Sequence, residues 1–301
     1  MPHRIRVVVS AEASPYLAWQ AKLAHFSCLS RLGQAPLTVV HEWEEGSLPD
    51  LDDITRTGGA VIRAASYRRT SSGHSYSPRN SAGTLLEAAR AVGPEVDTLV
   101  LCDPDVVFSR QVRFGRGLSA ARCGYLDHGE PEVRVAMRRL GIAPSDLDPL
   151  GSCLNCGIPY VIPRAQAEPL ARAWLQAVDA FEMPRWEDLM HAFGLAVVML
   201  GLPLRSRPLA DTNYYPDAPV RAPVVHYCYG DDRWSKRQFY TPEGVRRVWQ
   251  ARAAAMRGSV LGEVLGQLRE ARRFYGFAGL RTTRPAPSAP WTTLRGQRLN
   301  G

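Results

Sequence analysis

The chain has 301 residues, of which 45% are hydrophobic and 22% charged, and its formal net charge is +8. These proportions are typical of a folded protein and exclude a largely disordered chain. The longest apolar stretch, HAFGLAVVMLGLPL at 191–204, is shorter than the roughly 20 residues of a membrane-spanning helix. Because the N-terminal MPHRIRVVVSAEASP also lacks a long apolar segment, we predict a cytoplasmic protein without a membrane span.

The positive charge comes almost entirely from arginine, since Lys22 and Lys236 are the only lysines. A basic balance favours anionic ligands. The arginines are not interleaved with aromatic residues and form no recognition motif, so we expect no nucleic-acid partner. The single CxxC, Cys153 and Cys156, lacks the second ligand pair of a structural zinc site, and we expect two unrelated thiols.

The first part of the chain alternates between strand and helix patterns. Apolar runs bounded by turn residues predict strands, and a segment of helical spacing separates the first two. Ser14 is a suitable N-cap for that helix, Pro15 suits its first position and Gly33 its end. The predicted strands lie at 5–12, 36–43, 58–66 and 96–108, and the predicted helices at 15–32 and 81–93. This order predicts a mostly parallel sheet that binds ligands at the carboxyl ends of its strands.

The second part is predicted to begin with a long loop that reaches residue 150. Pro184 should separate two helices, because proline cannot continue a helix. The remaining predicted elements are a strand at 157–164, helices at 165–183 and 185–201, a last core segment at 224–240 and one or two helices within 242–276.

The segment LVLCDPDVVF at 99–108 places Asp103 and Asp105 at the end of an apolar run, where burial of two carboxylates is costly. Side chains two residues apart on an extended segment point to the same side. Both can then bind one divalent cation, and Mn²⁺ or Mg²⁺ suits carboxylate oxygens. The alternative is an aspartate turn that only ends the strand.

Two enzyme chemistries use a strand followed by DxD. In aspartate-nucleophile phosphatases the first aspartate attacks phosphorus, and GDD at 230–232 would fit the distal acidic motif. That chemistry also needs a lysine between the two motifs, but the chain has none between Lys22 and Lys236. In sugar transfer from a nucleotide sugar, the DxD holds a metal across the diphosphate and follows a nucleotide-binding α/β unit. The order of the elements therefore favours the transferase.

His226 ends a short apolar strand and precedes a glycine loop that contains Lys236. A histidine on such a strand is commonly a core residue, but this arrangement offers a metal ligand and a phosphate-binding cation together. We predict that Asp103, Asp105 and His226 bind the metal.

Six segments in the same order resemble the plant and algal peptidyl-serine α-galactosyltransferase and hydroxyproline O-arabinosyltransferase families. They cover about residues 5 to 240. The segments are EASPYLAWQAKLAHFSCLSRLGQAPLTVV, YSPRNSAGTLLEA, LVLCDPDVVF, CGIPYVIPRAQAEPLARAWL, RWEDLMHAFGLAVVMLGL and VVHYCYGDDRWSKRQF. The resemblance implies a GT-A fold, which is an α/β fold with a mixed, mostly parallel sheet flanked by helices. It also implies a UDP-sugar donor, Mn²⁺ or Mg²⁺ as cofactor and a retaining reaction.

The resemblance also implies roles for individual residues. Asp105 matches the main metal-binding carboxylate, Asp103 binds the metal or the ribose, and His226 matches the ligand from the late strand. Trp186 matches the tryptophan that opens the acceptor-side helix. The residues that match donor-binding positions are Ser10, Glu12, Tyr76, Asn80, Asp103, Trp234 and Lys236.

Two positions depart from the pattern of these families. Ser81 stands where the relatives have a lysine, and Leu189 stands where they have a glutamate. Asp188, or else Glu187, is expected to take over the role of that glutamate in catalysis. The alternative is that both are surface acids of a helix, with Glu187 paired to His191.

We therefore expect a metal-dependent retaining glycosyltransferase in which Lys236 stabilises the leaving UDP. Galactose or arabinofuranose would move to a hydroxyl of a peptide Ser, Hyp or Thr, of a natural product or of another glycoside. The competing expectations are a non-catalytic nucleotide-sugar-binding protein and, with less support, an aspartate-nucleophile phosphatase. The transferase domain is expected at 1–242, helices packed on it at 243–278, and a mobile Pro/Arg-rich tail at 279–301.

Overall fold

A seven-stranded sheet lies at the centre of the structure, a computed structural model that describes residues 3–42 and 51–276. The strands are β1 (Ile5–Glu12), β2 (Leu37–His41), β3 (Ala60–Ala64), β4 (Thr98–Cys102), β5 (Val106–Phe108), β6 (Ser119–Arg122), β7 (Cys156–Pro163), β8 (Arg205–Arg207), β9 (Ala210–Thr212), β10 (Val224–His226), β11 (Gly230–Asp231) and β12 (Trp234–Ser235). The central sheet has the order β3-β2-β1-β4-β7-β6-β8. Strand β7 runs antiparallel to both neighbours and the other neighbouring pairs are parallel, so the predicted mixed, mostly parallel sheet is confirmed.

Helices flank this sheet. They are α1 (Pro15–Leu32), α2 (Asp52–Arg56), α3 (Asn80–Ala91), α4 (Pro131–Leu140), α5 (Arg164–Asp179), α6 (Asp188–Met199), α7 (Pro242–Arg247) and α8 (Val260–Phe274). The predicted ends of α1 are confirmed, because Ser14 accepts a hydrogen bond from the Leu17 amide and Gly33 adopts a left-handed φ of 68°.

The two faces of the central sheet pack against different helices. Val8 of β1 lies in a core cluster with side chains of α3, α5 and α6. Val7 and Val9 lie in a second cluster with side chains of α1. All three valines are fully buried, as expected for a strand inside a parallel sheet that is covered on both faces. Because both faces of the sheet are covered by apolar side chains, polar groups can cluster at the carboxyl ends of its strands.

Two sequence predictions need correction. The strand predicted at 96–108 is two strands, because the chain turns at Pro104 and β5 leaves the central sheet for a small sheet of order β5-β10-β9. The loop predicted to reach residue 150 contains α4. Its apolar positions Val133, Ala136, Met137 and Leu140 have helical spacing, but the charged residues between them obscured that pattern.

The chain after the last strand forms two helices, where one or two were predicted. Side chains of α7, α8 and the turn between them share a third core cluster with α1 and the small sheet. The domain boundaries at residues 242 and 278 stay predictions, and the tail predicted at 279–301 lies outside the described residues. None of the helices in the described ranges is long and apolar enough to cross a membrane. All six cysteines lie in these ranges and are free thiols.

Ser27 of α1 links this helix to the small sheet. Its hydroxyl accepts a hydrogen bond of 2.5 Å from the Phe108 amide at the end of β5. The Ser27→Ala substitution leaves this buried N–H without its partner, and we expect the free energy of unfolding to fall by about 1–3 kcal/mol. Urea unfolding measures the change. The control is Ser30→Ala, whose exposed hydroxyl only contacts the Ser27 carbonyl, and equal losses in both variants would contradict the role of Ser27.

Candidate metal and nucleotide-sugar site

The Asp-Pro-Asp turn lies at the carboxyl end of β4, between the central sheet and the small sheet. Strand β10 pairs antiparallel with β5, and its last residue, His226, lies opposite Val106. This register brings His226 beside Asp105, although about 120 residues separate them in the chain. One ligand atom from each of Asp103, Asp105 and His226 lies within 4.8 Å of the others, so the three residues form a cluster able to hold a metal ion.

Tyr227 holds the turn in place. Its amide donates to the Asp105 carbonyl at 2.9 Å, and its hydroxyl donates to the Pro104 carbonyl at 3.3 Å. The ring is fully buried between Trp19, which stacks at 6.1 Å, and Trp234, which packs edge-on at 5.9 Å. Tyr227 has no role predicted from the sequence, where its only signal is an aromatic residue directly after His226.

The Asp105 carboxylate is buried between two cationic groups. Its Oδ1 lies 3.2 Å from Nε2 of His226, and its Oδ2 accepts a hydrogen bond from the Lys236 ammonium. Burial raises the pKa of Asp105, but the charges of Lys236 and His226 outweigh burial and hold it well below its usual range. Burial, with the charge of Asp105 next to it, raises the pKa of Asp103. The pKa values of the two carboxylates are therefore shifted in opposite directions within one turn.

The donor set suits a divalent ion. Two carboxylates and one imidazole match ions such as Mn²⁺, which accept oxygen and nitrogen ligands, and carboxylates alone also suit Mg²⁺. The residues present therefore fit the cofactor that the sequence predicts. Binding of the ion itself stays a prediction.

A glycine turn returns Lys236 to this cluster. Gly230 begins β11 with a φ of 136°, and a Cβ there would lie 2.3 Å from the Trp234 carbonyl oxygen. Another residue would therefore clash, so glycine is required for the β11–β12 hairpin. After the hairpin, the Ser235 hydroxyl accepts from the Arg237 amide and caps the short turn that carries Lys236.

Ser10 and Glu12 lie at the carboxyl end of β1, beside the end of β4. The Thr84 hydroxyl of α3 donates to the Ser10 hydroxyl at 2.8 Å. Asn80 donates to the Glu12 carboxylate at 2.8 Å and accepts from the Tyr67 amide at 2.7 Å. Burial raises the pKa of Glu12. These residues form one polar group on the β1 side of the metal-ligand cluster, and their contact with a donor stays a prediction.

Tyr76 joins the loop after β3 to the start of α6. Its hydroxyl accepts from the Leu189 amide at 2.9 Å and donates to the Trp186 carbonyl at 3.2 Å. Asp188 is buried and accepts hydrogen bonds from the Arg185 amide at 2.6 Å and from its guanidinium at 3.2 Å. The alternative that Asp188 is a surface acid is therefore wrong.

The alternative pairing of Glu187 with His191 is also wrong. Glu187 lies 3.4 Å from the Arg185 guanidinium. Both ring nitrogens of His191 are buried without a hydrogen-bond partner in the described ranges. The His191 ring instead packs edge-on against His128, with centroids 4.7 Å apart.

The structure thus brings Asp103, Asp105, His226 and Lys236 together in one site. Glu187 and Asp188 belong to a second group around Arg185, at the start of α6. Trp234 is buried against Tyr227, where it supports the turn, and its predicted contact with a donor stays a prediction.

No protein-family model matches the sequence, and no curated protein matches it. The crystal structure of the galactosyltransferase LgtC in complex with donor and acceptor sugar analogues is similar in fold, with a TM-score of 0.50 and 14% identity. The alignment covers 90% of this chain and 99% of that one. The bifunctional glycosyltransferase WbbM has a TM-score of 0.48 and 12% identity over 82% of this chain. This chain spans about half of the WbbM structure, 50% of its length.

The predicted GT-A fold is confirmed by the sheet order and by the likeness to LgtC. The finer resemblance to the peptidyl-serine and hydroxyproline transferases stays a prediction.

The Asp105→Asn substitution tests the metal-ligand cluster. It removes the charge that faces His226 and Lys236, and we expect the Mn²⁺ affinity to fall by at least about 100-fold, the upper end of what outer-shell partners cost. Electron paramagnetic resonance of free Mn²⁺ during titration measures the affinity. The control is Asp231→Asn in the β11–β12 hairpin, where the carboxylate contacts Arg233. Equal affinities for wild type and Asp105→Asn would contradict the assignment of the ligands.

Proposed function

We propose that the protein is a metal-dependent retaining glycosyltransferase that moves a sugar from a UDP-sugar to an acceptor hydroxyl. The observation that carries the proposal is the cluster of two aspartates, a histidine and a lysine at the carboxyl end of β4 within a GT-A fold. Galactose or arabinofuranose is the sugar proposed from the sequence resemblance. The acceptor is a hydroxyl of a peptide Ser, Hyp or Thr, of a natural product or of another glycoside.

We infer the orientation of the donor from the order of the strands. The nucleoside is proposed to lie toward β1, against Ser10, Glu12 and Asn80, because ligands of open α/β sheets bind outside the carboxyl ends of the strands. The diphosphate then lies at the Asp-Pro-Asp turn, where Asp103, Asp105 and His226 would hold Mn²⁺ or Mg²⁺. The ion, when bound, neutralises charge on the diphosphate as a Lewis acid. The sugar extends toward β7 and α6.

Lys236 is proposed to stabilise the leaving group. Charge develops on the departing phosphate oxygen, and an ammonium fixed nearby is worth most in a site that excludes water. The bond from the anomeric carbon to the phosphate oxygen breaks, and the acceptor oxygen forms the new bond on the same face. The departing phosphate oxygen takes the proton of the acceptor hydroxyl, so the reaction needs no strong protein base.

Glu187 is proposed to contact the sugar or the acceptor. Its Oε2 is buried and has no hydrogen-bond partner in the described part of the chain. A buried acceptor without a partner is costly, and a hydroxyl of the substrate would satisfy it. Both carboxylate oxygens of Asp188 already accept from Arg185, so Asp188 is proposed to position Arg185 and the start of α6.

The phosphatase alternative finds no support in the fold. That chemistry places its nucleophile after the first strand, whereas Asp103 follows β4, the fourth strand of the chain. A nucleotide-sugar-binding protein without activity stays the competing proposal, and turnover distinguishes it.

A donor screen tests the proposed function. The protein is incubated with Mn²⁺ and a panel of UDP-sugars, and release of UDP is followed. We expect release from at least one donor, and a rate about 10²–10³-fold lower for Asp105→Ala, by analogy with the loss of one oxyanion donor. The matched control is Glu243→Ala, an exposed acid of α7. Binding of UDP-sugars without release would favour the competing proposal, and wild-type turnover in Asp105→Ala would contradict the assignment of the site.

A pair of isosteric substitutions distinguishes the proposed roles of Glu187 and Asp188 at the start of α6. For Glu187→Gln we expect kcat/KM for transfer to fall at least about tenfold, the effect of losing one hydrogen bond to a charged group, with unchanged unfolding. For Asp188→Asn we expect the larger loss in unfolding free energy, because the buried side chain contacts Arg185. Kinetics and urea unfolding of both variants are compared with Glu182→Gln, an exposed acid. The opposite pattern would assign the substrate contact to Asp188.

A further inference from the structure

Two aromatic side chains are exposed beside the proposed transfer site. Tyr125 follows β6 and Trp186 precedes α6, and they are 59% and 55% exposed. Their ring centroids lie 5.7 Å apart. Large aromatic side chains of folded proteins are usually more buried, and adjacent exposed rings commonly mark a binding surface.

A cavity of about 620 Å³ is lined from Leu126 onward, the residue directly after Tyr125. It lies between the loop that follows Tyr125, helix α4 and the turn before β7. Asp127, His128, Arg134 and Asn155 line it with hydrogen-bonding groups, and leucine side chains form part of its wall. The volume is in the range of ligand pockets, which are about 300–1,000 Å³.

Several buried polar groups around this surface have no partner. Nε2 of His128, which lines the cavity, is unpaired within the described residues. The same holds for both nitrogens of His191, whose ring packs edge-on against His128, and for Oε2 of Glu187, the residue after Trp186. Such groups cost free energy unless a ligand or water pairs with them. Unpaired atoms in a residue that lines the cavity, in the ring packed against it and in the residue beside Trp186 are an observation independent of the exposed rings.

The surface lies on the acceptor side of the proposed donor site. Strand β7 runs antiparallel to β4, so its beginning lies beside the end of β4, where Asp103 follows. Asn155, directly before β7, accepts a hydrogen bond from the Cys123 amide at the end of β6, two residues before Tyr125. A donor with its nucleoside at β1 and its diphosphate at Asp103 therefore directs its sugar toward this surface.

We infer that the surface formed by Tyr125, Trp186 and the adjoining cavity binds a saccharide, and that the acceptor of the proposed transfer is a carbohydrate hydroxyl. The inference rests on the proposed function. A sugar ring presents an apolar C–H face, which packs on aromatic rings, and a rim of hydroxyls, which need donors and acceptors. A peptide is commonly held through its main chain at a sheet edge or in an apolar groove, whereas this surface offers polar side chains.

The test measures binding and transfer separately. Labelled protein with Mn²⁺ and UDP is applied to an array of immobilised mono- and disaccharides and of Ser- and Hyp-containing peptides. Saturation-transfer NMR with the best saccharide then gives its affinity. We expect Trp186→Ala to weaken saccharide binding at least about fivefold, the effect of losing one aromatic contact, and Trp186→Tyr to retain most of it. UDP binding should stay unchanged in both variants.

The matched control is Phe274→Ala, which removes an exposed ring of α8. Saccharide binding that depends on Trp186 but not on Phe274 supports the inference. If wild type binds UDP but binds only peptides or no array ligand, or if Trp186→Ala binds saccharide as wild type does, the inference is overturned and the proposed function stands. If wild type binds saccharide but neither UDP nor Mn²⁺, the saccharide site stands, but the acceptor role falls with the proposed transferase.

Discussion

The burial of the Asp105 carboxylate is the constraint on which the site depends. Only 4% of the residue is exposed, and an isolated charge in such a place would be very costly. His226 and Lys236 compensate it from two different elements, the end of β10 and the turn after β12. The compensation of this charge therefore depends on two features of the fold. The register of β10 with β5 places His226, and the β11–β12 hairpin places Lys236. A carboxylate held this way is already positioned beside Asp103 and His226, with which it is proposed to share one ion.

The packing around Tyr227 connects the turn that carries Asp105 to the rest of the fold. Tyr227 ties the backbone of the Asp-Pro-Asp turn to β10, and two tryptophans from α1 and β12 enclose its ring. Helix α8 supports the same region, because Gln267 donates to the Phe108 carbonyl at the end of β5. The C-terminal helices thus stabilise the small sheet that carries His226. The central sheet supplies the edge at which the site lies, while the third core cluster fixes its geometry.

Local sequence patterns were sufficient for much of this architecture. Apolar alternation and the caps Ser14 and Gly33 defined β1 and α1, and the spacing of Asp103 and Asp105 after an apolar run marked the site. The partners of these residues were harder to predict, because contacts across about 120 residues depend on which strands pair. Tyr227 has no local signature, and the helical pattern of α4 was hidden by its many arginines. The environment of Asp188 was also ambiguous from the sequence. Its side chain contacts Arg185, and Tyr76 bonds the amide of the next residue, and the spacing of apolar residues along a helix reveals neither contact.

Asp103, Asp105 and His226 are proposed to hold one divalent ion against the diphosphate of a nucleotide. Crystals grown with Mn²⁺ and UDP, measured at the manganese absorption edge, test it directly. We expect one anomalous peak about 2–2.5 Å from oxygens of the two aspartates and from His226 Nε2, with a diphosphate oxygen in the same shell and the uracil toward β1. A manganese peak elsewhere, or a diphosphate bound away from these three side chains, would contradict it.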